Sequence, residues 1–220
     1  MNALSLAAAP PPPPWFFAVA PEPQTTSLRI QIIAARAKAV AGRIQSAGSS
    51  LPMFKPGEAV FGWDGTSVCL ASKPRTLSFD QAVDALVPAV TALQMVCDHA
   101  VVLPAHRVLV LGADTATGAY AKQLAEWRGA EVFVTPGPRV DIILDTVGRA
   151  AQLAAAPFIK TCGAVISSIS LLDPEVSEER FIRSAIAHPV ISRSALSRIA
   201  ALFDSGVLTF KPEMPCRARI

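Results

Sequence analysis

Charge, aromatic rings and ligand-spaced cysteines are all scarce in this chain, and each scarcity removes a class of function. Only 17% of the 220 residues are charged and the formal net charge is +3, too small and too evenly spread to track a nucleic-acid backbone or an acidic membrane surface. Aromatic residues make up 6%, with Tyr120 the single tyrosine, so a platform of rings for stacking bases is not expected. The four cysteines, Cys69, Cys97, Cys162 and Cys216, form no C-x-x-C pair, and no histidines cluster at ligand spacing. That pattern disfavours a metal site and reads as isolated buried thiols in a reducing, cytoplasmic compartment. A G-x-S-x-G elbow and a Ser-His-Asp arrangement are both missing. His99, His106 and His188 therefore read as structural or exposed, and no catalytic residue can be named. Prolines and charges interrupt every apolar stretch before it is long enough to cross a bilayer.

What is present is apolar: 51% of the residues are hydrophobic, enough for one large domain or two small ones. The first residues, MNALSLAAAPPPPPWFF, carry no basic residue ahead of their short apolar segment, and the prolines at 10–14 stop any helix. Residues 1–21 read as a disordered or polyproline-II extension rather than a secretory signal. Residues 27–33 alternate as a strand does, whereas 34–41 is ambiguous between strand and helix. Turn signals at Gly48-Ser49-Ser50 and Lys55-Pro56-Gly57 bracket short strands such as Ala59-Val60-Phe61, giving a small β-rich module. From Ser78 the apolar residues Phe79, Ala82, Val83, Leu86 and Val87 repeat at helical spacing behind Ser78-Phe79-Asp80-Gln81, which resembles a capping box. A further helix is expected over 89–97.

Residues 107–134, RVLVLGADTATGAYAKQLAEWRGAEVFV, read as strand, glycine-punctuated turn, helix and second strand. Such a turn presents free backbone N–H groups and the positive end of a helix to an anion, as dinucleotide-binding folds do for a pyrophosphate. It departs from G-x-G-x-x-G at its middle, where Asp114-Thr115-Ala116-Thr117 stands before Gly118. Strands at 140–145 and 164–169, with a helix at 150–156 between them, continue the alternation. Helices are expected around 178–187 and over 192–204, with a closing strand near 207–210. Strands alternating with helices imply an α/β fold with a Rossmann-like parallel sheet and right-handed crossovers.

Several segments, in order, resemble one family: FKPGEAVFG at 54–62, Lys73-Pro74 followed by LSFDQA at 77–82, Thr91-Ala92-Leu93, VLVLGA at 108–113, QLA at 123–125, GAEV at 129–132 and DIILDTVG at 141–148. This order is similar to that of the medium-chain dehydrogenase/reductase superfamily, in its zinc-free quinone oxidoreductase and enoyl reductase branch. The resemblance implies an N-terminal GroES-like β module joined to a Rossmann-like domain, with NADPH in the cleft between them and a small-molecule substrate. A hydride would pass to the β-carbon of an activated double bond or to a quinone, in a homodimer. The corresponding division is an extension at 1–21, an abbreviated GroES-like module at 22–88, the nucleotide-binding domain at 89–205 and a return segment at 206–220. Two family elements are missing. The long segment carrying the substrate loop has no room between Arg36 and Gly42, and one turn between Val134 and Val140 stands where the family places a helix, a strand and another helix.

The resemblance places the cofactor on Gly112, Ala113 and Gly118 of the phosphate turn, although these could equally serve only tight strand-to-helix packing. Thr115 or Thr117 could donate a hydroxyl hydrogen bond to a phosphate, while Asp114 would repel it. Arg139 is a candidate for the 2′-phosphate of NADPH or a solvated turn residue. Thr91 holds the family's threonine-alanine position near the nicotinamide, or packs a helix. Thr146, Val147 and Gly148, with Ser167 and Ser168, follow strands at the carboxyl edge where open α/β sheets bind ligands. The departures at the turn keep a second function open, in which NADPH binding has been lost and the scaffold acts as a non-redox enzyme or a dimeric partner-binding protein.

Overall fold

The computed structural model describes residues 28–48, 51, 53–65 and 68–212; the proline-rich extension, Cys216 and most of the expected return segment lie outside them. Two sheets share one helical layer. The first is antiparallel, in the order β1 (Leu28–Arg36), β2 (Ala39–Ala47), β3 (Ala59–Asp64), β4 (Val68–Ser72). The ambiguous stretch at 34–41 is a hairpin, with Ala37 at φ 51° between Arg36 and Ala39, which pair. Ile33 is an extra residue between the pairs Ile32↔Gly42 and Ala34↔Ala41, and this bulge turns Ala34 to the same side as Ala39, Ala41 and Phe61. That side packs on α1 (Phe79–Leu93). The opposite side carries Ile30, Val40, Val60 and Leu70.

Helix α1 starts in the capping box read from the sequence, Ser78 accepting from the Gln81 amide at 3.1 Å and Gln81 returning the bond to Ser78 N–H at 3.0 Å. It runs unbroken through Pro88 to Leu93 and passes into a π-helical turn, Gln94–His99, where a separate helix was expected. Burial explains the continuity: Leu86, Ala89 and Val90 are fully enclosed between the sheet on one side and helices on the other, and that packing outweighs the amide lost at proline.

The second sheet is wholly parallel, in the order β6 (Glu131–Phe133), β5 (Arg107–Leu111), β7 (Val140–Asp145), β8 (Ile159–Ser167), β9 (Arg183–Ile186). Alternate residues face opposite layers. Val108, Val110, Ile142, Leu144 and Ile166 join α1, α2 (Ala116–Trp127) and α5 (Arg193–Asp204), whereas Leu109, Ile143 and Val165 meet α3 (Arg149–Ala155) and α4 (Pro174–Glu179). The fold class expected from the sequence is therefore the one observed.

Three expectations are corrected. The helix around 178–187 is instead the end of α4 followed by β9; Phe181 turns the chain at φ 53°, and the backbone of Arg183–Ile186 satisfies itself along the edge of β8. No strand forms at 207–210, because side chains of α2 meet that backbone directly: Gln123 Oε1 accepts from Thr209 N–H at 2.7 Å and Tyr120 Oη from Lys211 N–H at 3.3 Å. Of the described cysteines, Cys69 and Cys97 are half-buried, but Cys162 is exposed, carried out of β8 where the register jumps from Val140↔Ile159 to Ile142↔Ala164. Among the described residues no helix is long and apolar enough to cross a membrane.

Beside that irregularity, Asp141 accepts from Lys160 Nζ at 2.6 Å and Arg107 N–H at 2.9 Å. Burial pushes its carboxyl up, but these donors and the nearby positive charges outweigh it and hold the group below the usual aspartate range. A carboxyl lowered by folding contributes stability above its unfolded value, near about 3.9, and loses it as the pH falls through the folded value. Asp141→Asn should therefore flatten the acid limb of a urea-stability profile below about pH 4. Stability measured between pH 2 and 7, as about six buffers, checks this against the parent.

Candidate functional site

The parallel sheet reverses its winding between β5 and β7: β6 lies on one side of β5, and the chain then crosses to the other. In open α/β sheets ligands collect outside the carboxyl ends of the strands at such a point. Here those ends are Leu111 and Asp145, which pair, and the residues following them build the site.

Gly112 turns the chain at φ 79°. A Cβ there would stand 2.5 Å from both Thr146 Oγ1 and Val147 Cγ2, so glycine is required twice, by conformation and by space. Thr115 caps α2. Its hydroxyl donates to Gly112 O at 2.8 Å and accepts from Gly118 N–H at 3.0 Å, satisfying one of the helix's free amides. The same oxygen lies 2.9 Å from Thr146 Oγ1, which also reaches Leu111 O at 2.9 Å. Two threonine hydroxyls thus bridge β5 and β7 and close the crevice directly above Gly112. At Gly118 a Cβ would come within 2.0 Å of Gly112 O, so this glycine serves the close approach of α2 to the turn. What remains for an anion is the outer rim, the N–H groups of Ala116 and Thr117 in the first turn of α2, which have no internal acceptor among the described contacts. Ala113 is half-buried in the same turn and Asp114 is exposed at its tip.

The neighbouring turn hangs on a carboxylate that the sequence reading passed over. Asp145 is fully buried, with four donors on its two oxygens. Val147 and Gly148 N–H bind Oδ1 at 3.0 Å each, while Gln152 Nε2 and Ser167 Oγ bind Oδ2 at 2.8 and 2.7 Å. Ser167 Oγ in turn accepts from the amides of Ile169 and Ser170, and Ser168 N–H donates to Asp145 O at 3.0 Å. Gln152 Nε2 also reaches Ser170 O at 2.8 Å. This fixes its amide so that the buried Oε1 meets no donor among the described residues. An acidic residue closing an apolar strand run was the signal available in the sequence, since a buried carboxylate persists only where donors surround it.

Most of the candidate residues converge. Gly112, Ala113, Thr115, Thr117, Gly118, Thr146, Val147, Gly148, Ser167 and Ser168 all lie at or just after the carboxyl ends of β5, β7 and β8 or in the first turn of α2. Ser167 is spent on Asp145, and Val147 and Ile169 expose apolar side chains there, 56% and 57% accessible. Two candidates stand apart. Arg139 directly precedes Val140, the amino end of β7, and so starts on the edge opposite the Gly112 turn. Thr91 is buried within α1 and donates to Val87 O at 2.8 Å. Among the described residues no three His, Cys, Asp or Glu side chains gather as a metal-ligand set.

No protein-family model matches the chain. Over 108 residues, 45% of this chain, it is 32% identical to the spectinabilin polyketide synthase system protein NorB of Streptomyces orinoci, of whose length it spans only 5%. Its fold superimposes on an alcohol dehydrogenase superfamily protein from Novosphingobium aromaticivorans with a TM-score of 0.68 and 22% identity, covering 80% of this chain and 71% of that one. The quinone oxidoreductase from Coxiella burnetii gives 0.67 at 19% identity, over 81% and 70%. The CurK enoyl reductase gives 0.64 at 19%, over 80% and 69%. The fold shared with these solved structures is a Rossmann-like parallel sheet joined to a GroES-like antiparallel module.

Asp145→Asn keeps an oxygen for the Val147 and Gly148 amides but sets an NH₂ group against Gln152 Nε2. Leaving that pair mismatched in a buried site should cost about 2 kcal/mol. Urea unfolding should show the midpoint falling at unchanged slope, with Ser167→Ala costing about half as much.

Proposed function

We propose that this chain is an NADPH-dependent oxidoreductase of the enoyl or quinone reductase type. The observation that carries the reading is the helix N-terminus with free Ala116 and Thr117 amides at the switch point of a parallel sheet. Those amides, rather than the crevice that Thr115 and Thr146 close, fit a pyrophosphate. Bound NADPH would supply a hydride. The chain's own part is binding and exclusion. Thr146 and Thr115 hold the turn rigid, Asp145 fixes the loop that presents Val147, and the exposed apolar side chains of Val147 and Ile169 offer a dry wall for an uncharged ring. Water suffices as the proton source for reduction of a polarised alkene.

The enoyl type is favoured over the quinone type. The stretch shared with a polyketide synthase protein, and the likeness to the CurK enoyl reductase and to the CurF ER cyclopropanase, support an acyl chain with a conjugated double bond as substrate.

A second reading has its own observation. The threonine bridge fills the space above Gly112, as expected of a scaffold that has dropped the dinucleotide and works as a non-redox enzyme or a dimeric partner-binding protein.

Thr117→Glu separates the two. A carboxylate in the first turn of α2 complements the helix dipole, so thermal stability should hold or rise, while NADPH affinity should fall by about tenfold or more through repulsion. Calorimetric titration with NADPH measures both proteins. Failure of the parent to bind at millimolar cofactor overturns the first reading in favour of the second.

A further inference from the structure

The side of the antiparallel sheet turned away from α1 forms an open apolar groove of about 490 Å³, floored by Ile30, Val40, Val60 and Leu70. That volume lies within the range of small-molecule sites, which combine an apolar lining with a few placed polar groups. Among the described residues one cation lines the groove. Arg193, the first residue of α5, holds its guanidinium 5.2 Å from the centre of the Phe54 ring, which lines the groove too. The ring face fixes the group's position, and Arg193 has no carboxylate partner among the described ion pairs. The one carboxylate among the described lining residues, Asp64, stands at the far end of β3. Phe54 belongs to the loop that Gly57 and Glu58 pin to Ile44 beside the start of that strand. Five residues of extended chain place these ends about 17 Å apart. The groove is therefore apolar along its length, with a positioned positive group toward one end.

We propose that this groove binds a single-chain fatty carboxylate, its tail along the sheet and its head on Arg193. A guanidinium supplies paired N–H donors that match a carboxylate, and the uncharged floor accepts a methylene chain. The site is separate from the carboxyl edge of the parallel sheet and does not depend on nucleotide binding there.

Dodecanoate below its micellar concentration, titrated calorimetrically into the full chain, should bind. Arg193→Gln, an exposed change that leaves the sheet untouched, should weaken it about tenfold. Ile32→Asp, at an exposed lining position, should weaken it as well, and dodecanol should bind the parent and Arg193→Gln equally. The proposal is overturned if dodecanoate fails to bind, if Arg193→Gln binds it as the parent does, or if sedimentation shows a dimer that Ile32→Asp dissociates and dodecanoate does not, which would assign the groove to a second copy. NADPH titrated into the same samples reports separately on the nucleotide reading.

Discussion

The carboxyl edge of the parallel sheet is organised by one buried negative charge. Asp145 has no ion-pair partner among the described residues; its oxygens are met by two backbone amides, an amide side chain and a hydroxyl. Because every donor comes from a different part of the turn, α3 or β8, the carboxylate ties three pieces of chain into one geometry. Burying it without those donors would cost several kcal/mol. The arrangement also explains why Gln152 tolerates an unpaired Oε1: turning the amide to satisfy that oxygen would place it against Asp145 instead.

Around this anchor the turn after β5 divides into a rigid inner part and an outer part. The hydroxyls of Thr115 and Thr146 do the work of holding β5 to β7, and the two flanking glycines are there because side chains and a carbonyl press against them. Only the amides of Ala116 and Thr117 are left without an acceptor among the described contacts. A turn that substitutes side-chain hydroxyls for middle glycines gains stiffness and gives up the space that lets a ligand's charged groups approach the backbone.

How much of this was legible in the sequence depended on whether the signal was local. The strand from Arg107 to Leu111, the cap at Ser78 and the helix following Ser192 were readable because periodicity and capping chemistry act within a few residues. The continuity of α1 through Pro88 was not, since it rests on packing from both sides. Nor was β9, whose four residues become a strand only because the edge of β8 is open beside them. At the site, the glycines, Thr146 and Ser167 could be placed at the strand ends by pattern, but the network joining them runs through Asp145 and Gln152, residues seven apart in sequence that meet only after α3 folds back. Arg139 shows the converse. With one turn between β6 and β7, the residue following the second strand in sequence is already at the start of the next.

Helix α1 belongs to neither sheet alone. Ala34, Ala41 and Phe61 of the antiparallel sheet and Val108, Val110 and Leu144 of the parallel one contribute to a single continuous core around it. A module that owns no interior cannot be lost, swapped or melted by itself; it can only be trimmed at the side that faces away from the shared helix. The open groove lies on that outer side, where the common interior is left intact.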